Sequence, residues 1–414
     1  MHEPEHFIGW DIGGAHVKAS WVQRGADGPV LRDAAEWACP LWQGLAHLRA
    51  ALAAAAERWP ASRGATHAVT MTGEMVDLFE HREAGVNALA AELVATLEGP
   101  LRFYAGEAET GASRWCGPAE VAVQWRSIAS VNWLATAQWA AQQLPDGVLV
   151  DIGSTTTDMI ALRSGRVAVQ ARSDAERLAG GELVYHGVVR TPLCALAPRI
   201  AFKGRSVNVM NEFFATSADV YRLTGELDPA HDLQPSADGA PKDLPASRQR
   251  LARMIGLDAR DAGDSDWLSL ANAWREAQLH ELRGNLAKVI EQAALPVDAP
   301  LIAAGCGDFL AAALAASLRR PWLAFASLAV AAPQPDAATS RAADAALARQ
   351  PKQTALMPSR TGPALTSLPF EVEAALVRHS LEATAAFARR VQVAAPSAAV
   401  ALLCASAGRN GKPG

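Results

Sequence analysis

Apolar and polar positions along the chain follow two rhythms that take turns. Residues 7–22 form an apolar strand, a glycine-containing turn and a returning strand, FIGWDIGG followed by HVKASWVQ, which predicts a β-hairpin turning at Asp11-Ile12-Gly13-Gly14. Residues 42–58 then carry Ala and Leu at helical spacing and stop at Pro60; a strand at 67–72 is followed by a helical pattern over 85–98. Strand and helix in alternation predict an α/β architecture with helices covering a mostly buried sheet.

The same succession then returns. An apolar helix at 131–143 leads into GVLVDIGSTTTDMIALRSGRVAV, again a strand, a turn of small residues and a strand. Two strand-DIG-hairpin segments, one at Asp11 and one at Asp151, predict two pseudo-equivalent lobes produced by internal duplication. Signals are mixed over 176–227, and 228–247, with Pro, Asp, Gly and Ser but no period, reads as a solvated loop. Helices are expected at 247–256 and 266–292, and LIAAGCGDFLAAALAASL reads as strand, glycine turn and helix. Residues 331–369 read as a flexible insertion, followed by a final helix near 370–391, a short apolar run at 398–403 and a polar tail. The expected domains are an N-terminal lobe, 1–130, a second lobe, 131–330, with an inserted region near 205–290, the insertion 331–369, and a C-terminal helix and tail, 370–414.

Composition narrows the class. Half of the 414 residues are hydrophobic and a fifth are charged, which excludes a wholly disordered chain. With 38 Lys plus Arg against 43 Asp plus Glu, the net charge of −5 offers no footprint for nucleic acid or an anionic membrane. No apolar run reaches roughly 18 residues and no leader precedes FIGWDIGG, so a soluble, cytoplasmic protein is expected. Five cysteines without CxxC spacing are expected to be reduced and structural. Twelve tryptophans suit core and interface positions.

The chemistry concentrates in the two turns. Gly13, Gly14 and Gly153 allow backbone N–H groups to approach phosphate oxygens, and Ser154, Thr155, Thr156 and Thr157 add hydroxyl donors, so the pair reads as a phosphate clamp. Asp11 and Asp151, each at a strand end, would face one cleft and suit a hydrated Mg²⁺ bridging phosphate oxygens; Asp158, closing the second turn, is a third candidate ligand. Lys18 on the returning strand would offset phosphate charge. A third turn, Gly305-Cys306-Gly307-Asp308, could receive an anion at a helix N-terminus, or could serve tight strand-to-helix packing with Asp308 as a cap.

These turns resemble those of the actin, Hsp70 and sugar-kinase superfamily. The closer resemblance is to its hydantoinase A and oxoprolinase family, in the one-carbon branch linked to tetrahydromethanopterin. It is carried by FIGWDIGGAHVKAS, TMTGEMVDLF, VDIGSTTTDMI, RLAGGELVYHGVVRTP, NEFFATSADVYRLTG and AGCGDFLA, in order over residues 7 to about 330, and does not extend over 331–395. The resemblance implies a duplicated ribonuclease-H-like, actin-like two-lobe α/β fold with a central cleft. It also implies a transferase of methanofuran-type cofactor synthesis, joining an aminomethylfuran-methyl diphosphate to a phenolic acceptor of glutamyl-tyramine or tyrosine type, with release of pyrophosphate. A base for the phenol would then come from Glu74, Glu182 or Asp219, and Arg190 would bind an acidic group of the acceptor. Each has a plainer reading: Glu74 as a cap, Glu182 as a first-turn acid, Arg190 as a surface residue and Asp219 as a local ion-pair partner. Two other functions stay open: an ATP-dependent kinase or amide hydrolase using the same loops, and a non-catalytic nucleotide-switched binding protein. The partners expected are small molecules, and the oligomeric state, a homo-oligomer included, stays open.

Overall fold

The computed structural model describes residues 5–60, 63–169, 171–330 and 383–407. Its first sheet contains β1 (Glu5–Ile12), β2 (His16–Gly25), β3 (Gly28–Ala38), β4 (Thr66–Met71), β5 (Leu101–Glu107) and β6 (Ser113–Cys116), in the order β3-β2-β1-β4-β5-β6. β2 lies antiparallel to β1 and β3, whereas β4 runs parallel to β1 and β5. The second sheet contains β7 (Gly147–Ile152), β8 (Thr157–Arg163), β9 (Arg166–Val167) and β10 (Leu183–Val184). A two-stranded excursion follows, β11 (Arg199–Phe202) with β12 (Arg205–Asn208), before β13 (Leu301–Ala304) and β14 (Trp322–Ala324) complete the second sheet. Its order is β10-β8-β7-β13-β14, with β9 on β8.

Placing β7 on β1, β8 on β2, β13 on β4 and β14 on β5 matches both the strand orders and the strand directions. The fold is therefore the duplicated ribonuclease-H-like, actin-like α/β fold. The central strands β1, β7 and β13 are apolar on both faces because helices cover both sides of each sheet. Among the described residues no helix is long and apolar enough to cross a membrane, and the five cysteines are free.

Several local expectations are corrected. β3, β5 and β6 lie where no strand was expected; β3 in particular, GPVLRDAAEWA, has little β propensity and is held by its ladder with β2, which bulges at Trp21/Val22. The helix expected over 42–58 is divided into a short turn, Leu41–Gln43, and the helix Ala46–Arg58, because Gly44 adopts φ 131° between them. The stretch 228–247 is not simply solvated. Gln234 is buried and donates to the Ala15 carbonyl in the other lobe (3.2 Å), while His231 approaches Glu36 (3.5 Å).

The apolar run at 398–403 belongs to a helix, Ala395–Ser406, that is buried along almost its whole length against β1 to β4 and the helix Asn132–Gln143. A helix apolar on all sides can only be stable inside. Gly9 permits the approach, since a Cβ there would collide with the Ser397 carbonyl oxygen, and Ser20 and Ser397 share a hydrogen bond of 2.7 Å. The preceding residues 383–393 are also helical. The expected insertion 331–369 and the start of the final helix lie outside the described residues.

Candidate functional site

β-Hairpin geometry brings the two aspartate turns to the same place. Asp11 pairs across the ladder with Lys18, and Asp151 with Asp158, at the ends of β1–β2 and β7–β8. The turns face each other across a cavity of about 590 Å³ lined by Asp11, Gly13, Gly14 and Lys18 from one lobe and by Gly153, Ser154, Thr155, Thr156 and Asp158 from the other. Asp151 is not among the lining residues, although it pairs across the ladder with Asp158, which is. Contacts between lobes flank the cavity: Arg82 donates to Asp174 (2.7 Å), the Arg190 guanidinium stands over the Trp42 ring (5.3 Å), and Gln234 reaches Ala15.

The electrostatics of the floor follow from burial. Burial pushes Asp11 up to about 6, against the pull of Lys18 and the Asn132 hydrogen bond of 3.3 Å. It pushes Asp151 up to about 7, against Lys18 and with the help of Asp158 and Asp11. Burial opposes the Lys18 ammonium, yet Glu36, Asp11 and Asp151 together hold its pKa above the ordinary lysine range. Lys18 is thus a cation shared by carboxylates of both lobes.

Among the described residues, no three His, Cys, Asp or Glu side chains converge to cage a metal. Mg²⁺ keeps much of its water and takes one or two carboxylates plus phosphate oxygens, a role that Asp11 on the cavity wall, with Asp151 at the end of β7, would suit. Burial penalises the charged form of both carboxylates, and a cation bound between them would favour it. Asp158 is drawn away from that role, because Arg177 donates to its Oδ1 at 2.5 Å.

The remaining sequence-derived candidates divide. In the turns, the Gly13 and Gly153 amides close the hairpins on the His16 and Thr156 carbonyls, so a phosphate would meet the turn tips instead. Thr157 is buried and its hydroxyl is spent on the His186 carbonyl (2.6 Å). Gly305 and Gly307 do not line the cavity. Their amides donate to Gln392 and Ile152 carbonyls, and a Cβ on Gly305 would come within 2.6 Å of Asp151 Oδ1, so this turn serves close packing.

Arg190 lines the cavity and lies 3.5 Å from Thr155 Oγ1. Asp219 does not; it is 2 % exposed, and Arg222, Arg250, Ser247 and the Thr216 amide occupy its carboxylate, which anchors the inserted region. Glu182 also stays off the cavity surface and follows the helix Asp174–Gly180 rather than opening one. Glu74 is buried behind the wall, hydrogen-bonded to the cavity-lining Ser130 (2.6 Å).

Sequence reasoning missed Arg177, Asn132, Ser130 and Trp42. Arg177 is 1 % exposed, pairs with Asp158 and lies 4.0 Å from the centre of the Trp133 ring. Its motif, RLAGGE, contributed to the resemblance, but no spacing rule links a helical arginine to a hairpin aspartate.

Duplicated lobes with facing aspartate-glycine turns and a shared lysine define a protein of the actin-like class. Its sequence pattern places it further: residues 66–321 match the hydantoinase/oxoprolinase family, and the chain belongs to that family. It is 29% identical over 220 residues to the (4-{4-[2-(gamma-L-glutamylamino)ethyl]phenoxymethyl}furan-2-yl)methanamine synthase of Methanocaldococcus jannaschii, covering 53% of this chain and 65% of that protein. It is 31% identical over 157 residues to the Methanococcus vannielii protein of the same name, covering 38% of this chain and 70% of the relative. Among solved structures, nucleotide-free acetone carboxylase aligns over 75% of this chain and 66% of its own, with 12% identity and a TM-score of 0.42. The ethanolamine utilization protein EutJ of Carboxydothermus hydrogenoformans aligns over 78% and 85%, with 12% identity and a TM-score of 0.38.

Proposed function

We propose that this chain is a transferase of methanofuran-type cofactor synthesis, joining an aminomethylfuran-methyl diphosphate to a phenolic acceptor and releasing pyrophosphate. The names of the two archaeal relatives support the substrate class. The observation that carries the chemistry is the meeting of both turn tips and Lys18 in one cavity.

A furfuryl-type carbon tolerates cationic character as its diphosphate leaves, so the main demand is to stabilise charge growing on the leaving group. Gly14 from one lobe and Ser154, Thr155 and Thr156 from the other would hold phosphate oxygens, and Lys18 would neutralise them at the floor. Mg²⁺, held by Asp11 and Asp151, would supply further charge neutralisation when bound. Arg190, exposed at the mouth over Trp42, suits an acidic group on the acceptor.

The test is to supply Mg²⁺, the furfuryl diphosphate and a phenolic acceptor and to measure pyrophosphate, then to supply ATP and measure ADP. Pyrophosphate without ADP is expected, with Asp11→Ala and Asp151→Ala folded but inactive. ADP release that depends on a small substrate, without pyrophosphate transfer, would overturn the reading in favour of an ATP-dependent kinase or amide hydrolase.

A further inference from the structure

The transferase reading leaves open which group takes the phenolic proton, and one feature of the cavity wall bears on it. Ser130 lines the cavity in the left-handed region, at φ 53°, where a side chain other than glycine is uncommon and such strain clusters at functional sites. Its backbone is fixed there: Trp133 Nε1 donates to the Ser130 carbonyl (2.9 Å), and Ala129 bridges to Met71 at the end of β4. The hydroxyl donates to Glu74 Oε1 at 2.6 Å.

Glu74 cannot meet a substrate itself. It is 1 % exposed, on the short turn Gly73–Met75, and the helix Arg82–Thr96 closes over it at Gly85, where a Cβ would come within 2.8 Å of the Glu74 Cα. Its Oε2 is buried without a hydrogen-bond partner among the described residues. Buried carboxylate oxygens are normally paired, and one left without a partner calls for a functional reason. Burial raises Glu74 to about 7; Ser130 and the Arg82 charge oppose the shift and Asp174 adds to it. Asp77, the other acid on this part of the wall, is exposed to solvent.

We infer that Ser130 and Glu74 form a proton relay for the acceptor, an assignment that rests on the transferase reading. The phenolic O–H passes its proton to Ser130 Oγ while Ser130 passes its own to Glu74 Oε1. A phenolic lone pair forms the new O–C bond to the furfuryl carbon, and the electrons of the breaking C–O bond leave with the diphosphate. Glu74, now neutral, returns its proton through Ser130 to the departing pyrophosphate. Ser130 is the group that touches substrate, and Glu74 acts through it.

The experiment measures pyrophosphate release by the full chain with Mg²⁺, the furfuryl diphosphate and a series of phenols of increasing acidity. With a tyramine-like phenol, Glu74→Gln should lower kcat about 100-fold, the lower end of general-base contributions, with KM changed only a few-fold. The deficit should shrink steadily toward phenols already ionised at neutral pH, which need no base. Ser130→Gly should show the same trend, and glycine suits the positive φ, so this variant isolates the hydroxyl. A deficit equal across the series, or none, overturns the relay; if Glu74→Gln does not fold, Ser130→Gly decides by the same criterion. Wild-type protein that releases no pyrophosphate with any phenol overturns the transferase reading itself, and the relay with it.

Discussion

Asp158 stands across the β7–β8 ladder from Asp151 just as Lys18 stands across the β1–β2 ladder from Asp11. Equivalent positions of the duplicated hairpins thus carry opposite charges. Arg177 neutralises Asp158 from within its own lobe, which leaves Lys18 to serve the carboxylates of both lobes. Backbone symmetry with asymmetric charge makes one lobe the donor of a cation and the other the donor of hydroxyls.

Lys18→Met should therefore remove the main protein cation at the cavity floor. Loss of one preorganised electrostatic group at a developing anion costs on the order of 10²–10³-fold in turnover. The expected outcome is a loss of that size in pyrophosphate release, with a native circular dichroism spectrum. A loss under about tenfold would place the diphosphate elsewhere.

The floor carboxylates predict an inverted pH dependence. Asp11 and Asp151 have folded pKa values of about 6 and about 7, above the ordinary 3.8, so between these limits the folded state keeps protons that the unfolded chain has released. Their contribution to stability is complete below the unfolded value and is lost as pH rises through about 7; Glu36, whose pKa is lowered, works in the opposite sense. Relative to wild type, Asp11→Asn/Asp151→Asn should melt at higher temperature at about pH 8 and show less difference at about pH 5. Mg²⁺ should stabilise wild type at the higher pH and have little effect on the double variant.

Arg177 is buried and pairs with two acids of its own lobe, Asp158 and Asp174. Arg177→Met would strand Asp158, at a cost of about 3–5 kcal/mol for breaking a buried pair. Arg177→Met/Asp158→Asn should recover much of that loss. Chemical denaturation of the two single variants and the double variant measures the coupling, and simple additivity would contradict a buried pair.

Gly9→Ala tests the seat of the helix Ala395–Ser406. The new methyl meets the Ser397 carbonyl and the Ala401 side chain, so the helix must shift. Overpacking of this kind costs about 1–3 kcal/mol, read as a lower melting temperature. A compensating Ala401→Gly would not relieve the clash with the carbonyl and should restore little.

How far the site was legible differs residue by residue. Asp11, Lys18 and the turn glycines were readable because hairpin pairing depends on neighbouring residues. The Gly305 and Gly307 turn has the local look of an anion site for the same reason, yet its amides are consumed by the carbonyls of Gln392, far along the chain, and of Ile152. Asp219 is a candidate by its charge alone, and the arginines that enclose it come from a different helix, Leu244–Arg253, as well as from its own. The run 398–403 carried no mark of its destination, because an apolar helix states that it is buried but not where.

By itself the sequence determined the two aspartate-glycine hairpins, the alternation of strand and helix around them and the family, since periodicity, turn chemistry and motif order are written along the chain, while β3, β5 and β6 escaped it. Only the tertiary structure decided which carboxylates share Lys18, which amides are already spent and which serine stands before Glu74. Those are matters of burial and pairing between distant segments, and a charge or a hydrogen bond acquires its strength from what surrounds it.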